Sequence, residues 1–283
     1  MIAVRLEGRL GNQLFQYAFI YAAAKKLNTS FYLDKSVDNL LLDKYFTIEN
    51  DFCWVLDRQL FSITGFKNIF SHYSRWSFYY ILRRILLLKE EIFSDSELPK
   101  SQLNKIKNNR IYFGHFQSER YFLNYKDDIK RLFSIKDNYR KQFEEIFRSL
   151  PKAAKYVTVH IRRGDYMLLN LSLKTAWYHL AIKNIHNEEN YYIFISDDIN
   201  FVKAEFAYLS NKYISENEEI TDLQFLTHAD ICILSNSTFS WWGAWLNNKA
   251  EKIIYAPKYF MGWRIKKETP TEIYPKEWVQ IDF

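Results

Sequence analysis

The chain is predicted to be an α/β protein with parallel sheets covered by helices, in two domains divided between Leu150 and Pro151. Three observations carry this. From Tyr156 to Ala256, short β-branched runs alternate with longer stretches of helical spacing, the pattern of strands joined by crossover helices. The first thirty-odd residues show the same strand, turn, helix, strand order. With 283 residues, 48% of them hydrophobic, the chain is long enough for two cores, although length alone also admits one large domain.

The elements follow in order. Ile2 to Leu6 is strand-like, Gly8 to Gly11 is a turn, and Asn12 to Leu27 is a helix with Leu14, Phe15, Ala18, Tyr21 and Ala22 on one broad face. Ser30 to Leu33 is a second strand. Asp34 to Leu150 is less regular and rich in aromatic and basic residues, with helical spacing at Ser77 to Leu88 and Asp137 to Arg148. Pro151 to Lys155 is a polar break. Beyond it the strands are Tyr156 to Ile161, Tyr191 to Ser196, Ile231 to Ser235 and Lys252 to Ala256. The helices between them are Thr175 to Ile185, Asn200 to Leu209, Ile220 to Ala229 and Thr238 to Leu246. No repeat, low-complexity tract or Gly/Ser-rich linker intervenes, so two domains would pack against each other across a cleft.

Thirty-nine basic residues against thirty-three acidic ones give a net charge of +6. That favours anionic partners without choosing among nucleotide, membrane and nucleic acid, and a solvated basic surface explains it as well. The basic residues are dispersed and no nucleic-acid recognition motif accompanies them. Cys53 and Cys232 are too few to staple the fold and lack metal-ligand spacing, so a reducing cytoplasm is expected. The charged N-terminus is no signal peptide, and no run approaches the roughly twenty apolar residues of a membrane span. Phe66 to Leu88 is basic and aromatic: it is either a packed interface or a segment lying on an anionic membrane.

Four segments carry chemistry. Val157 to Ile161 runs into His160, Arg162, Arg163, Gly164 and Asp165, and strand carboxyl ends are where parallel sheets meet ligands. Arginine offers a planar, permanent charge for bidentate phosphate contact, while pairing with surface carboxylates is the plainer alternative. Ser235, Asn236, Ser237 and Thr238 lead a buried strand into a helix with three Trp, which makes either a phosphate cradle or an ordinary N-cap. Ser196, Asp197 and Asp198 end another strand and fit a ribose or purine contact, a divalent metal, or a helix cap. Gly8 to Gln13 is a tight turn before a helix, with neither dinucleotide spacing nor a Walker lysine. No Gly-X-Ser-X-Gly, His-Glu-X-X-His or Cys-X-X-Cys occurs, which removes the main support for hydrolase, zinc protease and thiol redox readings.

In this order, Gly8 to Ala18, Gly114 to Phe122, His160 to Tyr166, Ser196 to Asp198 and Ser235 to Leu246 resemble the bacterial-type α-1,2-fucosyltransferases of glycosyltransferase family 11. The likeness runs from Arg5 to Pro257 and is thinnest from Asp34 to Asn109. It implies a GT-B-like fold, two Rossmann-like domains facing across a cleft, with residues 1–150 binding acceptor and 151–283 binding GDP-fucose. The implied reaction moves fucose from GDP-β-L-fucose to the 2-hydroxyl of a galactose with inversion, without metal or other cofactor. A nucleoside contact at Asp197 then gains over a metal.

The same resemblance assigns roles. Arg162 stabilises the leaving diphosphate and holds it together with His160; Asn236, Ser237, Thr238 and Phe239 bind phosphate and nucleoside; Asp197 reads guanine or ribose. Asn12 and Gln13 reach the diphosphate or fucose from the other domain, and Asn12 joins Arg162 in catalysis. Gln117, Ser118 and Glu119 bind the acceptor, with Phe116 or Tyr121 stacking on the sugar; a structural turn explains that segment equally. Asp165, Glu119 and His115 are the candidate bases, and a departing phosphate that takes the proton needs none. The expected partners are GDP-fucose and a galactose-terminated glycan, free or lipid-linked, in the cytoplasm, with peripheral contact at the inner membrane face left open. The alternatives are another nucleotide-sugar glycosyltransferase and a basic nucleic-acid-binding protein.

Overall fold

The structure is a computed structural model that describes residues 1–36, 40–48 and 69–282. Cys53 and the first residues of the basic aromatic stretch, 66–68, lie outside the described residues. The chain forms two compact units, Met1–Ile135 with Pro270–Ile273, and Lys136–Thr269 with Tyr274–Phe283.

The first unit holds a parallel sheet of β1 (Ile2–Arg5), β2 (Phe31–Asp34), β3 (Lys89–Ile92) and β4 (Arg110–Phe113) in the order β2-β1-β4-β3. Helix α1 (Leu10–Leu27) is buried along nearly its whole length, so it is a core helix rather than an amphipathic surface one. It ends where Asn28 takes the left-handed conformation at φ 46° and donates its amide to Ala24 and Lys25 carbonyls. After the single turn α2 (Leu42–Tyr45) comes α3 (Ile69–Ile85), which covers the sheet by setting Tyr79 over Tyr32, ring centroids 6.0 Å apart. Tyr79 and Leu88 are buried in this layer while Trp76, Ile81 and Ile85 stay exposed. The short α4 (Pro99–Leu103) and α5 (Lys126–Leu132) complete the unit.

Strands β3 and β4 fall in the stretch where the sequence shows no strand pattern. The cause lies in β3, whose residues Lys-Glu-Glu-Ile sit at the sheet edge with only Glu91 partly covered, so no apolar alternation marks it. Helix α3 starts eight residues before the expected Ser77, in a run where aromatic and polar residues mix without a clear apolar face.

In the second unit, α6 (Asp137–Ser149) leads to β5 (Lys155–Ile161), α7 (Gly164–Leu168), α8 (Thr175–Asn184), β6 (Asn190–Ser196) and α9 (Ile199–Glu205). Then come β7 (Lys212–Ile214), α10 (Glu219–His228), β8 (Ile231–Ile233), α11 (Thr238–Leu246), β9 (Ile253–Pro257) and β10 (Val279–Ile281). The sheet is parallel throughout, in the order β10-β9-β8-β5-β6-β7. Counted from β5, this is the Rossmann order 3-2-1-4-5-6, with the direction of winding reversing between β5 and β8. Val157, Val159, Tyr192, Phe194, Ile231 and Ile233 pack beneath Trp177, Val202 and Phe206 to form the core.

The boundary falls at Lys136 rather than Pro151. Helix α6 looks like the end of the first domain in sequence, but Phe143 and Phe147 stack on Phe225 and His228 of α10, 4.7 to 6.5 Å between rings. The apolar face of that helix is what the second unit needs to cover α10, so the polar break at Pro151 is a loop inside the unit. Among the described residues, no helix is long and apolar enough to cross a membrane.

Candidate active site

Where the winding of the six-stranded sheet reverses, the ends of β5 and β8 diverge and leave a crevice at their carboxyl ends. His160 at the end of β5 and Ser235 just after β8 meet there, Nδ1 to Oγ 2.7 Å, with His160 5% exposed. Burial, reinforced by the Arg162 charge, pushes the His160 pKa down to about 3, so the imidazole is neutral at physiological pH. It is a hydrogen-bonding group and not a cation.

Arg162 supplies the permanent charge. Its guanidinium is held on two sides, by Asp165 Oδ1 at 2.6 Å and by Asp197 Oδ2 at 2.8 Å, and lies over the Tyr166 ring at 5.3 Å. Asp197 is drawn in by a second contact, its Oδ1 accepting the Arg163 amide at 2.8 Å. The approach is so close that a Cβ on Gly164 would sit 2.6 Å from Asp197 Oδ2. A glycine there is a condition of the Arg162–Asp197 pair. Neither carboxylate stands free in this arrangement: Asp165 and Asp197, expected as base and as nucleoside reader, both orient Arg162.

Arg163, the other half of the cationic pair, takes the plainer part. Its Nε contacts Asp198 Oδ2 at 3.0 Å and its guanidinium lies 3.6 Å over Phe201. Asp198 caps α9 by accepting the Phe201 amide, and the Arg163 contact holds its carboxyl below the usual range. Asp197 and Asp198, considered as metal ligands from sequence, each face a guanidinium instead.

Ser237 caps α11, its Oγ accepting the Phe239 amide at 3.3 Å. The hydroxyl and the first-turn amides of Thr238 and Phe239 thus stand at the carboxyl end of β8, with the positive end of the helix dipole behind them. Phe239 lies 5.5 Å from the His160 ring. Asn236 is fully buried and donates Nδ2 to the Leu171 carbonyl at 2.9 Å, so its side chain shapes the cradle and does not line it.

In the first unit β1 and β4 are neighbours in the sheet, and the Gly8 to Ala18 and Gly114 to Phe122 segments that follow them meet at their carboxyl ends. Gln117 Nε2 donates to Asn12 Oδ1 at 3.1 Å, joining one segment to the other. Gln16 does the same through backbone, accepting the Glu7 amide at 3.0 Å and donating to the Gly114 carbonyl at 3.2 Å. Gln13 is fully buried between the Gly8 carbonyl and the Leu41 amide, both 3.0 Å away. It staples the turn to the chain beyond β2 and does not reach a ligand. Ser118 donates to the Glu272 carbonyl at 2.6 Å and caps the short turn that Glu119 opens. The structural-turn alternative therefore holds for Ser118, and Gln117 is tied to Asn12.

Two further expectations are corrected. Phe116 stacks face to face on Phe19 at 3.8 Å, and Tyr121 is buried with its hydroxyl on Gln102, so neither ring is free for a sugar. Their aromatic character served the core, which composition cannot separate from a stacking platform. Sequence reasoning also missed the partner of His115: Asp95, whose Oδ2 lies 2.8 Å from His115 Nδ1. Asp95 follows the unrecognised edge strand β3, so only the pairing of β3 with β4 brings the two together.

A Rossmann-ordered sheet with a clamped arginine, a neutral histidine and a helix N-terminus at its switch point has the features with which α/β proteins receive phosphorylated ligands. Comparison with known proteins narrows this. The model of "Glycosyl transferase family 11" matches residues 1–282, and the chain belongs to that family. It is 31% identical to an α-1,2-colitosyltransferase of Escherichia coli, covering 100% of this chain and 99% of that one. It is 29% identical to the O-antigen biosynthesis glycosyltransferase WbnK, also of Escherichia coli, over 91% of this chain and 94% of the other. Among solved structures it resembles the α-1,6-fucosyltransferase NodZ of Bradyrhizobium, soaked with GDP-fucose, with a TM-score of 0.55 at 14% identity over 87% and 92% of the two chains. The fold is GT-B-like.

Proposed function

We propose that the chain is an inverting α-1,2-fucosyltransferase, moving L-fucose from GDP-β-L-fucose to the 2-hydroxyl of a terminal β-galactose on an oligosaccharide or surface-glycan precursor. The observation that carries the reading is Arg162, fixed between Asp165 and Asp197 at the switch point of the second unit. Cleavage of a sugar–phosphate bond leaves growing negative charge on the diphosphate, and the enzyme's main task is to stabilise that charge. A guanidinium already oriented by two carboxylates meets it with little reorganisation. Neutral His160 adds a hydrogen bond, and Ser237, Thr238 and Phe239 add the hydroxyls and amides of the α11 N-terminus.

In this reading the second unit binds donor and the first binds acceptor, where Asn12, Gln117 and Glu119 offer hydrogen-bonding groups to the sugars. No divalent metal takes part, because the carboxylates at the strand ends are engaged with Arg162 and Arg163. A cytoplasmic setting accords with the scarcity of cysteine. A lipid-linked acceptor with peripheral membrane contact is supported by the exposed Trp76, Ile81 and Ile85 beside Arg83 and Arg84.

The similarity to a colitosyltransferase favours a second reading, transfer of colitose by the same machinery. Radiolabelled transfer from GDP-fucose, compared with other nucleotide sugars on β-galactoside acceptors and followed by linkage analysis of the product, separates the two. No transfer from GDP-fucose to any β-galactoside would sink the fucosyl reading.

A further inference from the structure

We propose that His115, oriented by Asp95, is the base that takes the proton from the acceptor hydroxyl. The inference rests on the glycosyl-transfer reading above and names a residue for a step which that reading leaves open.

His115 stands two residues past β4, at the carboxyl end of the four-stranded sheet, next to the segment that carries Asn12. Every neighbour in its loop is tied down. The Gly114 carbonyl accepts from Gln16, Phe116 is stacked on Phe19, Gln117 donates to Asn12, and Ser118 is held by the Glu272 carbonyl. Gly114 itself has φ +153°, and a Cβ there would lie 2.8 Å from the Phe93 carbonyl, so the loops after β3 and β4 close on each other only with glycine at this place. His115 is the exception in this row: its side chain is 41% exposed and Asp95 is 35% exposed, with Nδ1 and Oδ2 2.8 Å apart. The pair is thus open to solvent on a loop whose other members are held.

The pair has the chemistry of a base with its orienting group. When Asp95 accepts from Nδ1–H, the lone pair of the imidazole is on Nε2, and the ring cannot turn away. The charged groups around it are Asp95 from the loop after β3 and Glu7 from the turn after β1, with Glu97 and Glu272 sharing the field of Asp95 at Tyr121. All are anionic. The Asp95 hydrogen bond, with the charges of Asp95 and Glu7, raises the His115 pKa against the opposing effect of burial, which strengthens it as a base and sets an acidic limit to its action. The acceptor oxygen bonds to the anomeric carbon as its proton passes to Nε2, the bond from that carbon to the phosphate oxygen breaks, and its electron pair leaves with GDP. The imidazolium then returns the proton to water.

Asp95 is a positioning residue in this scheme, and its variant separates a base from a mere tie between loops. The whole enzyme is assayed with GDP-fucose for transfer to a β-galactoside and for slow hydrolysis of the donor by water, across pH. His115→Gln is expected to lower kcat for transfer about a hundredfold or more. Its KM for GDP-fucose stays near wild type, and the acidic limb of the kcat profile disappears. Asp95→Asn lowers kcat about tenfold and moves that limb to lower pH, because the imidazole loses the carboxylate that raises its pKa. A His115→Gln enzyme that keeps wild-type transfer overturns the base and leaves the function standing. Parallel loss of transfer, hydrolysis and thermal stability in both variants overturns it too, in favour of a structural tie. Absence of transfer by the wild type on any acceptor overturns the glycosyl-transfer reading and the base with it.

Discussion

His160 and Ser235 touch across the point where the second sheet reverses its winding, Nδ1 to Oγ 2.7 Å. The contact joins the ends of β5 and β8, neighbouring strands at the reversal of winding, and it holds a neutral imidazole in place. Because burial lowers the His160 pKa, the unfolded chain binds a proton that the folded one refuses between about pH 6.5 and about 3. Stability from this group is complete above pH 6.5 and is lost as pH falls through that window. Chemical unfolding at a series of pH values is expected to show a steeper acid loss in the wild type than in His160→Gln. The pH dependence of transfer between 6 and 8 should owe nothing to His160.

Arg162→Ala is expected to lose about two orders of magnitude in kcat, the ~3 kcal/mol that one transition-state donor typically supplies. Arg162→Lys restores charge but not the two-sided fit to Asp165 and Asp197, and should recover only a small part. Steady-state kinetics on folded variants, with circular dichroism as a control, checks both.

Asp197→Asn and Gly164→Ala attack the same clamp from opposite sides. The first removes the carboxylate charge that faces Arg162 Nη1, and the second pushes Asp197 away by placing a methyl 2.6 Å from its Oδ2. Both should lower kcat about tenfold, with a smaller loss than Arg162→Ala, since the guanidinium remains but is less well aimed. Equal activity in Gly164→Ala and wild type would show that the pair is incidental.

Asp222 gives a stability prediction away from the crevice. It sits in α10, hydrogen-bonded to Ser215 after β7, and burial raises its pKa to about 7. A carboxyl raised in the folded state binds more protons folded than unfolded, so stability falls as pH rises from about 4 to about 7 and is level beyond. Asp222→Asn should match the wild type near pH 4 and exceed it at pH 8, by at most ~4 kcal/mol. Melting temperatures of the two proteins measured in parallel across that range decide it.

Transfer should be unaffected by EDTA and unstimulated by magnesium or manganese. On the proposed reading the positive charge that a metal would bring to the diphosphate is supplied by Arg162 and the α11 N-terminus, while Asp197 and Asp198 face guanidinium groups. Loss of activity on chelation, restored by a divalent ion, would refute this.

Much of the second unit was legible in the sequence, and for a simple reason. Strands β5, β6 and β8 are buried on both faces and read as continuous apolar runs ending in polar clusters, so both their existence and the place of the ligand site follow from local pattern. The first unit was read less well. Its sheet depends on β3, an edge strand with no apolar alternation, and its helix α3 has too little polarity contrast to mark its start.

Residue types alone placed His160, Arg162 and Ser237 at strand ends and the helix start, because secondary structure and ligand position are both set within a few residues along the chain. Partnership was decided only by the tertiary structure. Arg162 and Arg163 are adjacent and chemically alike, yet one is clamped by Asp165 and Asp197 while the other is consumed by Asp198 and Phe201. Gln13 and Asn12 are neighbours too, and the helix turns one into the core and the other toward Gln117. His115 finds Asp95 only because β3 pairs with β4. Contacts between residues far apart in sequence depend on strand order and register, which no local pattern encodes.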